Sequence, residues 1–211
     1  MISLKNQTIV MTKAEPFVEQ RKRVGIIGGT FNPPHIGHLV IADQVGHQLG
    51  LDTIYFMPDA EPPHIDRKEA VDATHRLKMV ASAIEGNPLF ELEEREILRG
   101  GKSYTFDTML ELTKEHPEID YYFIIGGDMV EYLPKWYRID ELIQLVQFVG
   151  VKRPNYGTDS PYPIIWVDVP AIDVSSTDLR KKLELGCPVH YLIPEKTLTY
   201  IKEKGLYQDD K

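Results

Sequence analysis

Short β-rich runs alternate with longer helical patterns along most of the chain, and this alternation restricts its fold more than any other feature. The apolar runs "RVGII", "TIYFMP", "YYFIIGGD" and "PIIWVDVP" are typical of buried strands, and "LFELEE" predicts a strand at an edge. "IDELIQLVQFVGVKRP" passes from helix to strand. Strands that alternate with helices form βαβ units, which build a parallel sheet. The sequence therefore predicts an α/β fold, a doubly wound parallel sheet with helices on both faces.

The longer segments predict amphipathic helices that pack on this sheet. They are "IGHLVIADQVGHQLG", "AVDATHRLKMVASAIEG", "YTFDTMLELTKEH", "STDLRKKLELG" and "PEKTLTYIKEKG". Gly50 is the predicted C-terminal stop of the first of them, because glycine is favoured just after a helix. The apolar residues expected to face inward are Leu39, Val40 and Ala42 in the first helix and Leu77, Val80, Ala81 and Ile84 in the second.

The chain length of 211 residues suits one large domain, or one domain with a small appendage. Residues 1–22 are mixed and polar without sustained periodicity, and they predict an N-terminal extension. Residues 23–211 then form a single domain. The only cysteine, Cys187, excludes an internal disulfide framework and a cysteine-rich zinc module.

Charge and hydropathy limit the partners that the chain can have. The formal net charge of −8 argues against a surface that binds nucleic acid. The most apolar segment, "IDELIQLVQFVGV", contains Asp, Glu and Gln and is shorter than the roughly 20 residues of a membrane span. The N-terminus lacks the apolar run of a signal peptide. We therefore expect a cytoplasmic protein without membrane contact, and we leave a homo-oligomer open.

Polar turns follow the predicted strands where a ligand would bind. In open parallel sheets, ligands lie at the carboxyl ends of the strands, near the switch in strand order. Glycine or proline marks three such ends, at Gly28-Gly29, at Pro58 and at "GGD", residues 126–128. The sequence predicts a binding site at this edge of the sheet.

The stretch "GIIGGTFNPPHIGH" concentrates glycines, prolines and histidines after the first strand. Backbone amides after Gly28-Gly29 and at the next helix N-terminus would attract phosphate. Pro33-Pro34 suits the first turn of that helix. His35 and His38 are three residues apart, so both imidazoles would project from one face toward one anion. The alternatives are tight packing of the glycines, and histidines that are merely solvated or hydrogen-bonded.

Three familiar sites fit the sequence poorly. The glycines of the opening stretch lack the G-x-G-x-x-G spacing of a dinucleotide fingerprint. "GGKS" imitates the end of a Walker loop, but Glu96 stands where the leading glycine is required. A zinc site made of His35, His38 and His64 is disfavoured, since no H-E-x-x-H pattern accompanies it.

"GGTFNPPHIGH" resembles the nucleotide-binding motif of the nucleotidyltransferase superfamily, whose mark is H-x-G-H and which class I aminoacyl-tRNA synthetases share. The resemblance implies a Rossmann-like fold of the nucleotidyltransferase type. It also implies that His35 and His38 stabilise charge on the α-phosphate of ATP during direct in-line attack, while metal-bound pyrophosphate leaves. The ATP-binding residues implied by this motif are Gly28, Gly29, Thr30 and Phe31.

"DVSSTDLR" resembles the S-S-T-x-x-R motif of the bacterial nicotinate-nucleotide adenylyltransferases. The resemblance implies that Ser175, Ser176 and Arg180 hold the β,γ end of ATP, with Arg180 among the catalytic residues. The alternative is that Ser175 or Ser176 serves only as a helix N-cap.

Three further stretches are similar to segments of the same family: "GGKSYTFDTM", "IIGGDMVEYLPKWYRIDEL" and "FMPDAEPPHI". From them the resemblance implies that amides at Tyr104 and Thr105 accept the nicotinate carboxylate, and that Trp136 stacks on the pyridine ring. It also implies that Gly126 and Asp128 face the nucleotide and that His64 lies near the mononucleotide phosphate.

Two positions depart from the family pattern. Asn32 stands where the family often has Asp, which removes a negative charge near the phosphates. Ile65 follows the "PPH" segment where many members have a basic residue. The phosphate contact would then shift to Arg67, Lys68 or Arg153.

The resemblance, which covers roughly residues 23–207, implies an enzyme that moves AMP from ATP to nicotinate mononucleotide and gives deamido-NAD and pyrophosphate. Mg²⁺ would be carried mainly by the ATP phosphates, without a dedicated protein site. One alternative is another H-x-G-H nucleotidyltransferase, acting on nicotinamide mononucleotide or phosphopantetheine. The other is a nucleotide-sensing module without turnover.

Overall fold

The computed structural model describes residues 21–61, 70–152 and 157–208, and its centre is a six-stranded parallel sheet. The strands are β1 (Lys22–Gly29), β2 (Thr53–Pro58), β3 (Phe90–Leu92), β4 (Ile119–Gly126), β5 (Gln147–Val151) and β6 (Ile164–Val167). Their spatial order is β3-β2-β1-β4-β5-β6, so the strand order reverses between β1 and β4. This order is that of a doubly wound sheet, and it confirms the predicted fold class.

Helices cover both faces of the sheet. They are α1 (Ile36–Leu49), α2 (Ala73–Ile84), α3 (Arg95–Arg99), α4 (Thr105–Glu115), α5 (Gly127–Val130), α6 (Ile139–Leu142), α7 (Ser176–Glu184) and α8 (Glu195–Glu203). Gly50 caps α1 with a left-handed φ of 58°, as its sequence predicts. The short helices α3 and α5 are additions that periodicity did not predict, because fewer than two turns carry too little of a repeat.

The buried faces of α1 and α2 differ from the predicted ones. Ala42 is buried as expected, but Leu39 and Val40 are only partly covered. In α2, Leu77 is partly covered and Ala81 is exposed, so the prediction for Ala81 was wrong. The physical reason is that α2 packs against α8 as well as against the sheet, which turns its most buried side toward other residues. The residues that α2 buries are Arg76, Met79, Val80, Ala83 and Ile84.

Two apolar layers enclose the sheet, as expected for a parallel sheet that is buried on both faces. Alternate residues of β1 enter opposite layers, with Ile26 in one and Ile27 in the other. Helix α1 packs closely on β2, because a Cβ at Gly46 would lie 2.9 Å from Ile54 Cδ1. A third, smaller cluster joins α2 to α7 and α8; its fully buried members include Met79, Leu179, Leu198 and Ile201.

The folded domain already includes the last residues of the predicted N-terminal extension. Strand β1 begins at Lys22, and the Arg21 guanidinium donates hydrogen bonds to Asp120 Oδ1 and to the carbonyl oxygen of Pro117, both at 2.6 Å. The rest of the extension, residues 1–20, lies outside the described residues. Within the described ranges, no helix is long and apolar enough to cross a bilayer.

Candidate active site

The carboxyl ends of β1, β2 and β4 meet where the sequence predicts a site. The loop after β1 contains a cis peptide bond between Asn32 and Pro33, and α1 begins at Ile36 with His35 as its N-cap. Pro33-Pro34 therefore precedes the helix, and its predicted place in the first turn was wrong. The reason is that His35, with an extended backbone, occupies the capping position between the prolines and the helix.

The two histidines lie together, as their spacing predicts. Their rings stack with centroids 3.8 Å apart, and the His38 ring also meets the edge of Phe31 at 5.0 Å. The backbone N–H of His35 donates to Nδ1 of His38 over 3.2 Å. Because Nδ1 accepts this bond, the neutral His38 ring carries its proton on Nε2. An Nε2–H group at a helix N-terminus is the kind of donor that a phosphate oxygen requires.

Gly37 leaves room for the His35 ring because it has no Cβ. A Cβ at position 37 would lie 3.1 Å from both Cε1 and Nδ1 of His35, closer than an ordinary van der Waals contact. His35 is only 7% exposed, so its ring has little room to move away. A methyl group at position 37 would therefore require the His35 ring to shift by a few tenths of an ångström.

The remaining residues of the opening stretch contribute mainly backbone. Phe31 has a left-handed φ of 48° and is 2% exposed, so its ring packs beneath His38 and only its backbone can meet a ligand. Gly28 is exposed and Gly29 is partly covered at the end of β1. Thr30 donates its hydroxyl to Asp59 Oδ2 over 2.9 Å.

The N-terminus of α7 contacts the same loop. Ser175 caps the helix by accepting a hydrogen bond from the Asp178 backbone N–H over 3.1 Å, which is the simpler of the two predicted roles for this serine. The Ser176 hydroxyl donates to the Pro33 carbonyl over 2.9 Å, and Arg180 Nη1 donates to the Asn32 carbonyl over 3.0 Å. The structure therefore joins the S-S-T-x-x-R segment to the loop that follows β1 and carries the two histidines, residues 30–38, which we call the histidine loop.

A buried arginine that the sequence analysis missed holds the loop after β1 and the loop after β2 together. Arg76 is 2% exposed, and its Nη1 donates to the Thr30 carbonyl over 3.0 Å and to Asp59 Oδ1 over 3.3 Å. The same guanidinium also donates to the carbonyls of Ala60 and Val71. Burial raises the pKa of Asp59, and the hydrogen bond from Thr30 and the charge of Arg76 oppose this rise. The only signal in the sequence was a charged residue beside the predicted apolar face of α2.

The predicted acceptor segments also meet. Tyr104 is the N-cap of α4 and Thr105 is its first residue, as expected. The Tyr104 ring lies 4.8 Å from the ring of Tyr137, which neighbours Trp136. The backbone N–H of Ala60 donates to Ser103 Oγ over 2.9 Å, so the start of α4 is tied to the loop after β2.

Trp136 is held more tightly than a freely exposed stacking platform would be. Its ring makes edge contacts with Phe123 and Phe148, at centroid distances of 6.0 and 5.9 Å, and its Nε1 is buried without a partner among the described residues. The indole is partly exposed, so a ligand can reach only part of it.

The other predicted residues fall into two groups. Gly126 and Asp128 lie at the junction of β4 and α5, beside the strand-order switch, and both are partly covered. His64 and Arg153 lie outside the described residues, as do Arg67 and Lys68. Their predicted contacts with the substrate phosphate stay predictions.

The chain is similar to several known proteins. The family model described as cytidylyltransferase-like matches residues 26–182. A protein of Enterococcus faecalis named "Probable nicotinate-nucleotide adenylyltransferase" is 57% identical over 202 residues, which is 95% of this chain and 92% of that protein. A protein of the same name from Lactiplantibacillus plantarum is 58% identical over 207 residues, 97% of this chain and 98% of its own. The chain belongs to the nicotinate-nucleotide adenylyltransferase family.

Solved structures with low sequence identity show the same fold. Nicotinic acid mononucleotide adenylyltransferase of Plasmodium falciparum, complexed with NaAD, matches with a TM-score of 0.74 at 20% identity, over 88% of this chain and 97% of that chain. A complex of the same protein with APC matches with a TM-score of 0.73. The family assignment confirms the resemblance seen in the sequence. Because the Lactiplantibacillus match covers 97% of this chain, it also extends into the first 22 residues.

Proposed function

We propose that this chain is an adenylyltransferase that moves AMP from ATP to nicotinate mononucleotide, forming deamido-NAD and releasing pyrophosphate. The observation that carries the proposal is that two helix N-termini meet at one loop. The stacked imidazoles of His35 and His38 start α1, and Ser176 and Arg180 of α7 hydrogen-bond to Asn32 and Pro33 just before them. Such an arrangement concentrates hydrogen-bond donors and positive charge where a triphosphate would lie.

The chemistry needs positioning more than proton transfer. An oxygen of the mononucleotide phosphate attacks the α-phosphorus of ATP and forms a new P–O bond. The bond from the α-phosphorus to the bridging oxygen breaks, and pyrophosphate leaves with that electron pair. The attacking phosphate is already an anion, so no strong general base is required. Preorganised donors stabilise the charge that develops on the α-phosphate.

Different residues of this chain would bind the different phosphates of ATP. His38 Nε2–H donates to a nonbridging α-phosphate oxygen, and His35 adds a second imidazole beside it. The Ser176 hydroxyl proton is already donated to the Pro33 carbonyl, so α7 would hold the β,γ phosphates through its backbone amides and Arg180. Gly28, Gly29, Thr30 and Phe31 would seat the triphosphate through their backbone, and Gly126 and Asp128 would line the nucleotide site from the neighbouring strand.

The acceptor would bind at the start of α4. A carboxylate is favoured by the amides of a helix N-terminus, and α4 opens at Tyr104 and Thr105. Tyr104, Trp136 and Tyr137 offer aromatic surface for a pyridine ring at that end. We keep His64 and Arg153 as proposed contacts for the mononucleotide phosphate.

Mg²⁺ would be held mainly by the ATP phosphates, where it would neutralise charge on the leaving pyrophosphate. The donor set supports this, because both oxygens of the buried Asp59 are already engaged, one by Thr30 and one by Arg76. Among the described residues, no group of three or more His, Cys, Asp or Glu side chains could hold a metal ion. We also place the enzyme in the cytoplasm and expect no nucleic-acid partner, given its net charge of −8.

A pyrophosphate-release assay tests the function. The full chain is supplied with ATP and Mg²⁺ and with nicotinate mononucleotide, nicotinamide mononucleotide or phosphopantetheine in parallel. We expect release with the first acceptor at a kcat/KM well above that of the other two. A preference for either other acceptor would reassign the substrate. Binding of ATP without release in any arm would mark a sensing module.

A further inference from the structure

The loop that carries the histidines is also held by the far end of the chain. The Tyr207 hydroxyl donates to Oδ1 of Asn32 over 2.6 Å, although the two residues are 175 positions apart. The same oxygen lies 3.4 Å from the backbone N–H of Val71. The carbonyl of Asn32 accepts from Arg180, so both the side chain and the backbone of this residue are fixed by distant segments.

The backbone at the C-terminal end of the chain is bent to make this contact. After α8, Gly205 and Tyr207 both adopt left-handed φ values, 61° and 59°. A non-glycine residue in that region is strained, and it persists only where the surroundings fix it. The hydroxyl also lies 3.8 Å from Met79 Sδ, at the small cluster between α2 and α8. The contact is therefore built by the fold and is not an accident of a loose tail.

The hydroxyl stays a hydrogen-bond donor throughout the neutral range. Burial raises the pKa of Tyr207 above its usual value, and the charges of Arg180 and Arg76 oppose this rise only in part. The two guanidiniums lie near the Tyr207 hydroxyl because they donate hydrogen bonds to carbonyls of the same loop, Arg180 to Asn32 and Arg76 to Thr30. The three side chains thus fix neighbouring points of one loop.

We infer that Tyr207 is a positioning residue for the adenylyl transfer, acting through Asn32 on the histidine loop. This inference rests on the proposed function. Asn32 is three residues before His35, the cap whose backbone N–H orients the His38 ring. If Asn32 loses its short hydrogen bond, the loop turns more freely and the two imidazoles are less often aligned on the α-phosphate. A variant without this bond should therefore stabilise the transition state less well and have a lower kcat. ATP binding should change little, because Arg180 and the α7 amides still bind the triphosphate.

The variant Tyr207→Phe tests this by removing one oxygen atom. We expect kcat to fall about tenfold, while KM for ATP changes less than about twofold, because small misplacements of reacting groups are costly. The matched control is Tyr200→Phe on α8, whose hydroxyl lies 2.9 Å from His75 Nδ1 and does not contact the loop. Both variants lose one partly buried hydrogen bond, so their melting temperatures should fall by similar amounts, whereas kcat should fall only in Tyr207→Phe.

A double-mutant cycle shows whether the effect passes through Asn32. In an Asn32→Ala background, Tyr207→Phe should lower kcat no further, since its partner oxygen is already gone. The inference alone would be overturned if kcat changed equally in Tyr207→Phe and Tyr200→Phe. It would also be overturned if the loss of kcat in the double variant equalled the product of the losses in Asn32→Ala and Tyr207→Phe. A wild-type chain that releases no pyrophosphate would overturn the function and the inference together.

Discussion

Two corners of the site are held in different ways. The histidine corner, residues 30–38, is buried: Phe31 is 2%, Asn32 4% and His35 7% exposed. Arg76 of α2, Arg180 of α7 and Tyr207 donate hydrogen bonds to it, and its Ile36 backbone N–H donates to the Leu192 carbonyl. The aromatic corner, made of Tyr104, Trp136 and Tyr137, is held mainly by ring contacts, and Tyr137 is 48% exposed.

The contrast follows from what each corner has to do. Hydrogen bonds are directional, so several of them fix the donors that must meet charge as it forms in the transition state. Ring contacts are less directional and tolerate small shifts, which suits the binding of a flat heterocycle by area. We therefore expect changes in the histidine corner to lower kcat or stability, and changes in the aromatic corner to raise KM for the acceptor.

The largest effect is expected for Arg76→Met, which keeps the shape of the buried side chain but removes its charge. Asp59 would then be buried without its cation, a loss of about 3 to 5 kcal/mol in the free energy of unfolding. Urea denaturation at pH 8 measures it. The control is Arg21→Met, whose ion pair with Asp120 is about half exposed and should contribute less than about 1 kcal/mol.

The loss of unfolding free energy in Arg76→Met, which we call the deficit, should also depend on pH in a definite direction. Arg76 lowers the pKa of Asp59 in the folded protein, so its removal raises that pKa further above the unfolded value. A carboxyl whose pKa is raised on folding favours the folded state when protonated, so the deficit should shrink as the pH falls from 8 toward 5. A deficit that is the same at both pH values would show that Asp59 does not depend on Arg76.

Much of the fold could be predicted from the sequence because its signals are local. The run "TIYFMP" is observed as β2 over the same six residues, since a parallel strand buried on both faces is a continuous apolar run. The stacked histidines follow from a three-residue spacing at a helix start. Family membership, too, was visible in short motifs.

The supports of the site could not be predicted, because their partners are distant in the chain. Arg76 donates hydrogen bonds to the carbonyls of Thr30, Ala60 and Val71, which lie apart in the sequence and meet only in the folded protein. No periodicity marks a buried arginine of this kind, and no local pattern pairs Tyr207 with Asn32. What the sequence showed was the chemistry of the site; what it did not show was the framework that orients it.

The next largest effect is expected for His38→Ala, which removes the donor on Nε2 and the acceptor of the His35 N–H. The hydrogen bonds that Arg76, Arg180 and Tyr207 donate to the loop stay in place. We expect kcat to fall by about 10²-fold or more, the scale for the loss of one preorganised charge stabiliser. Steady-state pyrophosphate release measures it, and His47→Ala, an exposed histidine of the same helix, should keep full activity. Near-normal turnover in His38→Ala would remove the catalytic role given to this ring.

A smaller effect, and a sharper separation of stability from activity, is expected for Gly37→Ala. The new methyl group would press on the His35 ring at 3.1 Å, and we expect kcat to fall about tenfold. Alanine is a better helix former than glycine by about 1 kcal/mol, so the melting temperature should hold or rise.

Gly46→Ala on the same helix is the opposite control. Its Cβ would lie 2.6 Å from Leu89 Cδ2 in the packed interface with the sheet, so stability should fall while kcat is kept. If both variants instead lost stability and kept kcat, Gly37 would be a packing residue only, and the histidine corner would be less rigid than its hydrogen bonds indicate.

The smallest effect is expected in the aromatic corner, for Tyr137→Ala. The variant removes part of the aromatic surface and the ring that holds Tyr104. Loss of a stacking contact to the pyridine ring worth about 1 kcal/mol should raise KM for nicotinate mononucleotide about fivefold, with kcat nearly unchanged. The matched control is Tyr132→Ala, an exposed tyrosine of the same segment whose ring contacts Lys135. Its kinetics should match the wild type. A fall in kcat without a change in KM would mean that the aromatic corner also orients the attacking phosphate, and the division of labour between the two corners would not hold.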